Sequence, residues 1–531
     1  MKTFLSRMIA LAAVVGAAHV AAATPAENST PNPVDLQEYL RAFHANPKKV
    51  MYAPLAKLDE NGKVITRVES PFGENLTREE ILKARNEVRG EICKAAGKNC
   101  DRNPSHFAAP NERNQVRQFL EGPYISKLHE MERLGLMEFI LPSAPWTDSF
   151  WPMRKGMTAR RWHDTTYPDT NDFVQNITHF RNFAPGYAGV DVMSPAEKYD
   201  FLIGDYSYTL TNAQWAKGER HQTESGRVPG WAGLCHGWAP ASIMAANPQQ
   251  SVVVKAVDGT DVTFYPSDIK ALASLAWGEA SPRVRQVGSR CWVTDPSDDE
   301  MGRVRDYNCF DVNPGTWHMA IVNQMGAQHR SFVFDSTYDL QVWNFPIYKY
   351  RYSYFNPQTM TPTSNLGAAL IPLADYSRDK FREFRSPNAK WVVGISMDLT
   401  YTKVTGPSTA PNNKVRSETI KYVYDLELDE NLEVIGGEWY SNWHPDFIWS
   451  PPKDGRPMAK GESNLSWDGM FPVSPAVLQT ALNGASAANQ PIGMLVETLV
   501  KMANPNPNPA GTGIVPEAVP ATPDAGTGTP Q

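Results

Sequence analysis

Five cysteines follow a leader built for export, and an odd number cannot all be paired within one chain. Residues 1 to 23 carry Lys2 and Arg7, then an apolar run over 8 to 20, then Ala21-Ala22-Ala23, the small-residue pattern of a signal-peptidase site. The apolar run is too short to span a bilayer, and nothing later reaches about eighteen consecutive apolar residues. The expected location is therefore secreted or periplasmic. Thiols pair in an oxidising compartment, so the one left over is either intermolecular or a reactive nucleophile. The formal net charge of −6 becomes more acidic once the leader is gone, and no basic cluster offsets it, which excludes nucleic acid and anionic membranes as expected partners.

The unpaired thiol is assigned to Cys235 in Gly230-Trp231-Ala232-Gly233-Leu234-Cys235-His236-Gly237-Trp238. A helix containing residues 241 to 246 ends at Asn247-Pro248, and Pro240 is tolerable only in a first turn. Cys235 is thus expected at or just before a helix N-terminus, where unsatisfied amides and the helix dipole favour a thiolate. Gly233 and Gly237 let a substrate carbonyl approach the backbone. The plainer alternative is a buried, inert cysteine. A nucleophile needs a base, and Pro314-Gly315-Thr316-Trp317-His318-Met319-Ala320-Ile321-Val322 reads as a turn entering a strand, with a second strand at Arg330-Ser331-Phe332-Val333-Phe334-Asp335. If the turn between them centres on Gly326-Ala327, His318 and Asp335 become cross-strand neighbours on one face, an imidazole and the carboxylate that orients it. A slip of one residue separates them. His236 competes as base by proximity, while His444 reads as structural.

The other cysteines pair by spacing as Cys93 with Cys100 and Cys291 with Cys309, cross-pairing being the alternative; closing the second loop is worth about 3 kcal/mol. That loop holds Asp295, Asp298 and Asp299, hard oxygen ligands of the kind calcium takes. They lack the EF-hand spacing, and a solvated acidic loop is the plainer reading. An oxyanion would be met by the Cys235 amide, with the indoles of Trp231 or Trp238 as candidate side-chain donors.

Excluding the leader and the Pro-rich tail from 504 to 531, which is too poor in apolar residues to order itself, leaves about 480 residues and two to four structural units. The fold class is α+β. Residues 24 to 140 read as mainly helical, with a capping-box start at Thr77, a helix to about 96 and another over 112 to 136; this region is either a propeptide or an accessory domain. Residues 141 to 388 form the catalytic core. Residues 389 to 503 read as a small β-rich unit, with strands over 390 to 402, 419 to 428 and 432 to 440, closed by one helix from 475 to 502.

Three segments carry a family resemblance: Gly233-Leu234-Cys235-His236-Gly237-Trp238-Ala239-Pro240, Thr316-Trp317-His318-Met319-Ala320, and Val342-Trp343-Asn344-Phe345-Pro346. The run from Gly436 to Phe447 adds to them. The chain resembles the transglutaminase elicitor family, secreted enzymes of oomycete plant pathogens with relatives in marine bacteria. The third segment is similar to that family's elicitor peptide, Val-Trp-Asn-Gln-Pro, departing from it at Phe345. The resemblance implies a papain-like core and calcium-dependent acyl transfer from protein glutamine to a lysine amine, with Cys235 as nucleophile, His318 as base and Asp335 as the orienting acid. The alternatives that keep the same residues are a cysteine protease or glutamine deamidase, in which water accepts the acyl group, and a secreted elicitor or adhesion module without catalysis.

Overall fold

The computed structural model describes residues 35–65, 116–222, 226–280, 284–289, 297–305, 309, 311–336 and 342–505. The leader, the helix expected from 77 to 96, Cys93, Cys100, Cys291, Asp295 and the tail beyond 505 lie outside them. Helices and a large mixed-order antiparallel sheet make an α+β protein, as expected. No helix among the described residues is long and apolar enough to cross a membrane.

The sheet has twelve strands among the described residues. Its principal members are β1 (Lys57–Asp59), β2 (Arg285–Gly288), β3 (Val333–Asp335), β4 (Asn344–Asn356), β5 (Trp391–Thr402), β6 (Ser417–Leu428), β7 (Val434–Trp439) and β8 (Phe447–Ser450). They run in the order β1-β6-β5-β4-β3-β8-β2, with β7 beside β6. Strands β5 and β6 pair over their full length, from Trp391 opposite Leu428 to Thr402 opposite Ser417. Both are β-branched and aromatic, and both are buried along most of their length, as suits central strands. A turn at Asp429-Glu430-Asn431 joins β6 to β7, with Asp429 accepting from the amides of Asn431 and Glu433.

Two expected boundaries dissolve into this sheet. Strand β4 precedes residue 388 and β5 follows it, yet the two pair from Gly394 opposite Phe355 to Tyr401 opposite Ile347. Residues 389 to 503 are therefore no separate β unit. Strand β1, from the leading region, pairs with β6. The same region adds α1 (Leu36–Ala45), started by Asp35, whose carboxylate accepts from the Glu38 amide. Its Tyr39, Leu40 and Phe43 are buried, and the Tyr39 hydroxyl donates to the Tyr440 carbonyl. The expected helix over 112 to 136 resolves into two short ones, Val116–Phe119 and Leu128–Arg133, interrupted at Gly122-Pro123.

Helices cover the sheet where the site lies. The two nearest are α2 (Cys235–Met244) and α3 (Pro266–Glu279), which approach so closely that a Cβ on Gly237 would overlap the Ser274 carbonyl. Helix α4 (Pro314–Ala320) continues directly into a π-helical stretch, Ile321–Ala327, and packs against β7, where Gly315 meets Gly436. The closing helix is two helices, α5 (Pro475–Ala488) and α6 (Gly493–Met502), broken at Gln490-Pro491 because proline cannot continue a helix.

Candidate active site

Cys235 is the first residue of α2, and among the described cysteines it is the free one; Cys309 is disulfide-bonded, to a partner outside the described residues. Pro240 sits inside α2 rather than in its first turn. The loop leading into the helix is held by residues 150 to 153: the Leu234 amide donates to the Phe150 carbonyl at 2.7 Å and the Met153 amide to the Ala232 carbonyl at 2.8 Å. Gly233 lies so close to Phe150 that any Cβ there would collide with both its ring and its carbonyl. Trp151, wholly buried, adopts φ +49°, a left-handed conformation uncommon for so large a residue.

The wall facing the thiol is the start of β4 and the residues just before it. Cys235 Sγ donates to the Val342 carbonyl at 3.4 Å, and the Asn344 carboxamide Nδ2 donates to Sγ at 3.7 Å. The Asn344 Oδ1 accepts from the indole Nε1 of Trp449, on β8, at 2.7 Å. Main-chain amides of Asn344 and His236 also act on the sulfur. Burial pushes the Cys235 thiol up; the Asn344 and His236 donors oppose this, and the negative charge of Asp335 adds to it. Trp343 stacks with Phe345 and lies 5.1 Å from Phe150, ring centre to ring centre. The segment resembling the elicitor peptide is thus the inner wall of the cysteine site, with Trp343, Asn344 and Phe345 all buried.

Asp335 belongs to this site. It ends β3 directly opposite Asn344, and its Oδ1 accepts from the Trp343 amide at 2.9 Å. His318 does not. The expected hairpin is absent, because residues 314 to 327 are helical: Asn313 caps the helix by accepting from the Gly315 amide, and Pro314 occupies its first position. The register argument that joined His318 to Asp335 falls with it. The His318 ring is wholly buried between tyrosines, its Nδ1 at 2.9 Å from the Tyr424 hydroxyl and its centre 4.7 Å from that of Tyr352. Its Nε2 has no hydrogen-bond partner, so neither nitrogen is bonded to Cys235 or Asp335. Tyr352 lies eight residues along β4 from Asn344, about 26 Å of extended strand. Burial lowers the His318 pKa to about 3, which keeps the imidazole neutral.

The competing base, though adjacent in the chain, turns its ring away from the thiol. His236 points its Nε2 at Gly278 of α3 and, through burial first and the Lys217 charge second, is lowered to about 4. His444 stacks on Trp439. Of the candidate oxyanion indoles, Trp238 is wholly buried beside Phe345 with its Nε1 unbonded, while Trp231 is half-buried against the core. Two of the candidate calcium ligands have partners within the protein. Asp298 pairs with Lys48 at 3.0 Å and accepts from the Tyr52 hydroxyl, and Asp299 accepts from the Met301 and Arg303 amides of its own loop. Among the described residues no group of three or more His, Cys, Asp or Glu is placed to hold a metal, and Asp295 lies outside them.

Sequence reasoning singled out Cys235 and Asp335 but passed over the roles of Asn344 and Trp449. Asn344 lay within a quoted segment, yet nothing in its spacing aimed it at Cys235; the sheet order does that, by setting β3 between β4 and β8.

No curated protein is similar enough to count as a relative. Among solved structures, the crystal structure of the GP42 transglutaminase from Phytophthora sojae is similar at 20% identity, covering 72% of this chain and 99% of that one, with a TM-score of 0.45. The family model described as transglutaminase elicitor matches residues 115–468, which include Cys235, the β4 wall and Asp335. By that match over two thirds of its length, the chain belongs to the transglutaminase elicitor family.

Proposed function

We propose that the protein is a secreted protein-glutamine acyltransferase in which Cys235 is the nucleophile. The observation that carries this is a free thiol at a helix start, faced by three hydrogen-bond donors and a buried carboxylate, inside a chain of the transglutaminase elicitor family. The Cys235 sulfur attacks the side-chain carbonyl of a protein glutamine, the carbon–nitrogen bond breaks, and ammonia leaves with the thiol proton. A lysine amine then attacks the thioester carbonyl, forming the isopeptide bond and returning the proton to sulfur. The buried wall of Trp343, Asn344 and Phe345 favours the amine by limiting water.

We read the described arrangement as a resting one. Burial holds Cys235 as a thiol and His318 as a neutral imidazole, the protonation states a general base and its target need, but apart. We assign the base role to His318 after it leaves the Tyr352–Tyr424 cage, and the orienting acid to Asp335. No step is assigned to calcium. Incubation with a glutamine donor protein and labelled cadaverine tests the proposal. Amine incorporation faster than deamidation or cleavage is expected. Cleavage dominating under saturating amine, with no isopeptide by mass spectrometry, moves the chain to the protease alternative, and inertness of native and reduced protein alike to the elicitor-module alternative.

A further inference from the structure

Trp449 and Asn344 are joined across the sheet in a way that leaves the asparagine one orientation. An indole N–H can only donate, so the carboxamide atom facing Trp449 Nε1 at 2.7 Å must be oxygen. The amide nitrogen then faces the other way, and what lies there is Cys235 Sγ at 3.7 Å. Both partners are fixed by pairing. Asn344 is set opposite Asp335 and Trp449 opposite Val333, so β3 holds the two strands at a constant spacing. Asn344 is 3% exposed and Trp449 9%, so both partners are buried.

We propose that Asn344 is a catalytic residue whose carboxamide, locked by Trp449, donates to the Cys235 thiolate as it forms, and that Trp449 is the positioning residue. This rests on Cys235 being the nucleophile of the proposed acyl transfer. Donors fixed before the reaction stabilise developing charge without reorganisation, and hydrogen bonds to charged groups exceed neutral ones. In the thiol form Cys235 spends its proton on the Val342 carbonyl, and the long 3.7 Å contact from Asn344 is what an uncharged sulfur accepts. Loss of that proton leaves Asn344 facing an anion.

The test is the pH profile of Cys235 alkylation by iodoacetamide, located by peptide mapping, in the native full chain. Asn344→Leu is expected to cut the alkylation rate at pH 7 about tenfold or more and to move the profile to higher pH. Trp449→Phe, which keeps the ring and removes only the N–H, is expected to move it in the same direction by less. Asn344→Asp should raise it furthest, by placing a negative charge against sulfur. A profile unchanged in both Asn344→Leu and Trp449→Phe, each with a wild-type melting temperature, overturns the proposal. Should Asn344→Leu fail to fold, Trp449→Phe alone decides in the same terms. Alkylation needs no acyl substrate: a shifted profile without amine incorporation upholds the thiolate donor and removes the transferase, whereas incorporation with an unshifted profile does the reverse.

Discussion

The two ends of β4 hold the two residues that the proposed chemistry needs, and they are built on opposite plans. At the Asn344 end the cysteine meets three donors, a carbonyl and a carboxylate, each fixed by strand pairing or by the start of α2. At the Tyr352 end the histidine meets phenol rings and one hydroxyl, and its second nitrogen has nothing to bond. One surrounding is arranged for a charge that is not yet there; the other refuses a charge altogether. A buried nitrogen without a partner costs about 1–3 kcal/mol, which favours any motion that gives His318 Nε2 a donor or acceptor. The difference teaches that a nucleophile can be prepared in a fold while its base is withheld.

The largest effect that bears on this contrast is at the thiol. Cys235→Ala is expected to lower amine incorporation by at least about a thousandfold, with circular dichroism and melting temperature unchanged, because no disulfide is broken. Finding Cys235 in a bridge by alkylation mapping would remove the cysteine half of the comparison.

His318→Leu fills the tyrosine cage with an apolar side chain and removes the base. Incorporation should fall about a hundredfold to a thousandfold while the fold persists. Full activity in that variant means the imidazole belongs to the packing alone, and the base must be sought beside Asp335. Next in size is Gly237→Ala, whose Cβ overlaps the Ser274 carbonyl and forces α2 from α3; a loss of about 1–3 kcal/mol in urea unfolding is expected. An unchanged midpoint shows that the helix carrying Cys235 is not clamped by α3.

The remaining effect is in the pH dependence. His318, His444 and His236 are held at about 3, about 3 and about 4 in the folded chain, all through burial. Unfolded, each titrates near 6.5, so below that pH the unfolded chain takes up protons that the folded chain refuses. Each histidine therefore removes up to about 1.4 kcal/mol of stability per pH unit, from about pH 6.5 down to its folded value. Urea midpoints at pH 7, 6 and 5 should show the decline, and His318→Leu should flatten it by one histidine's share while Cys235→Ala leaves it alone. Equal slopes in the two variants contradict a neutral His318.

The cysteine half of this comparison was legible in the sequence and the histidine half was misread, for a physical reason. The run 241 to 246 marked a helix just after Cys235, although Pro240 lies inside it rather than in its first turn, and the odd cysteine count marked the thiol. Residues 314 to 326 are buried on every side, so no amphipathic period shows, and the short apolar run from Met319 to Val322, with β-branched residues at its end, passes for a strand. Asn313-Pro314, a cap followed by a first-position proline, was the overlooked signal. The β5, β6 and β7 strands were legible from alternation and the Asp429 turn. That they join β4 and β1 in one sheet was not, since pairing partners far apart leave no mark in local sequence.

The pairing of β1 with β6 also sets a clock. Leu58 takes its place opposite Thr419, and Tyr39 donates to the carbonyl of Tyr440. At about 5–20 residues per second, synthesis alone separates the partners by about 20 to 70 s. Over that time Tyr39, Leu40 and Phe43 have no core to enter. Contacts this distant in sequence place the chain among slow folders, whose first-made segment is the last to be secured.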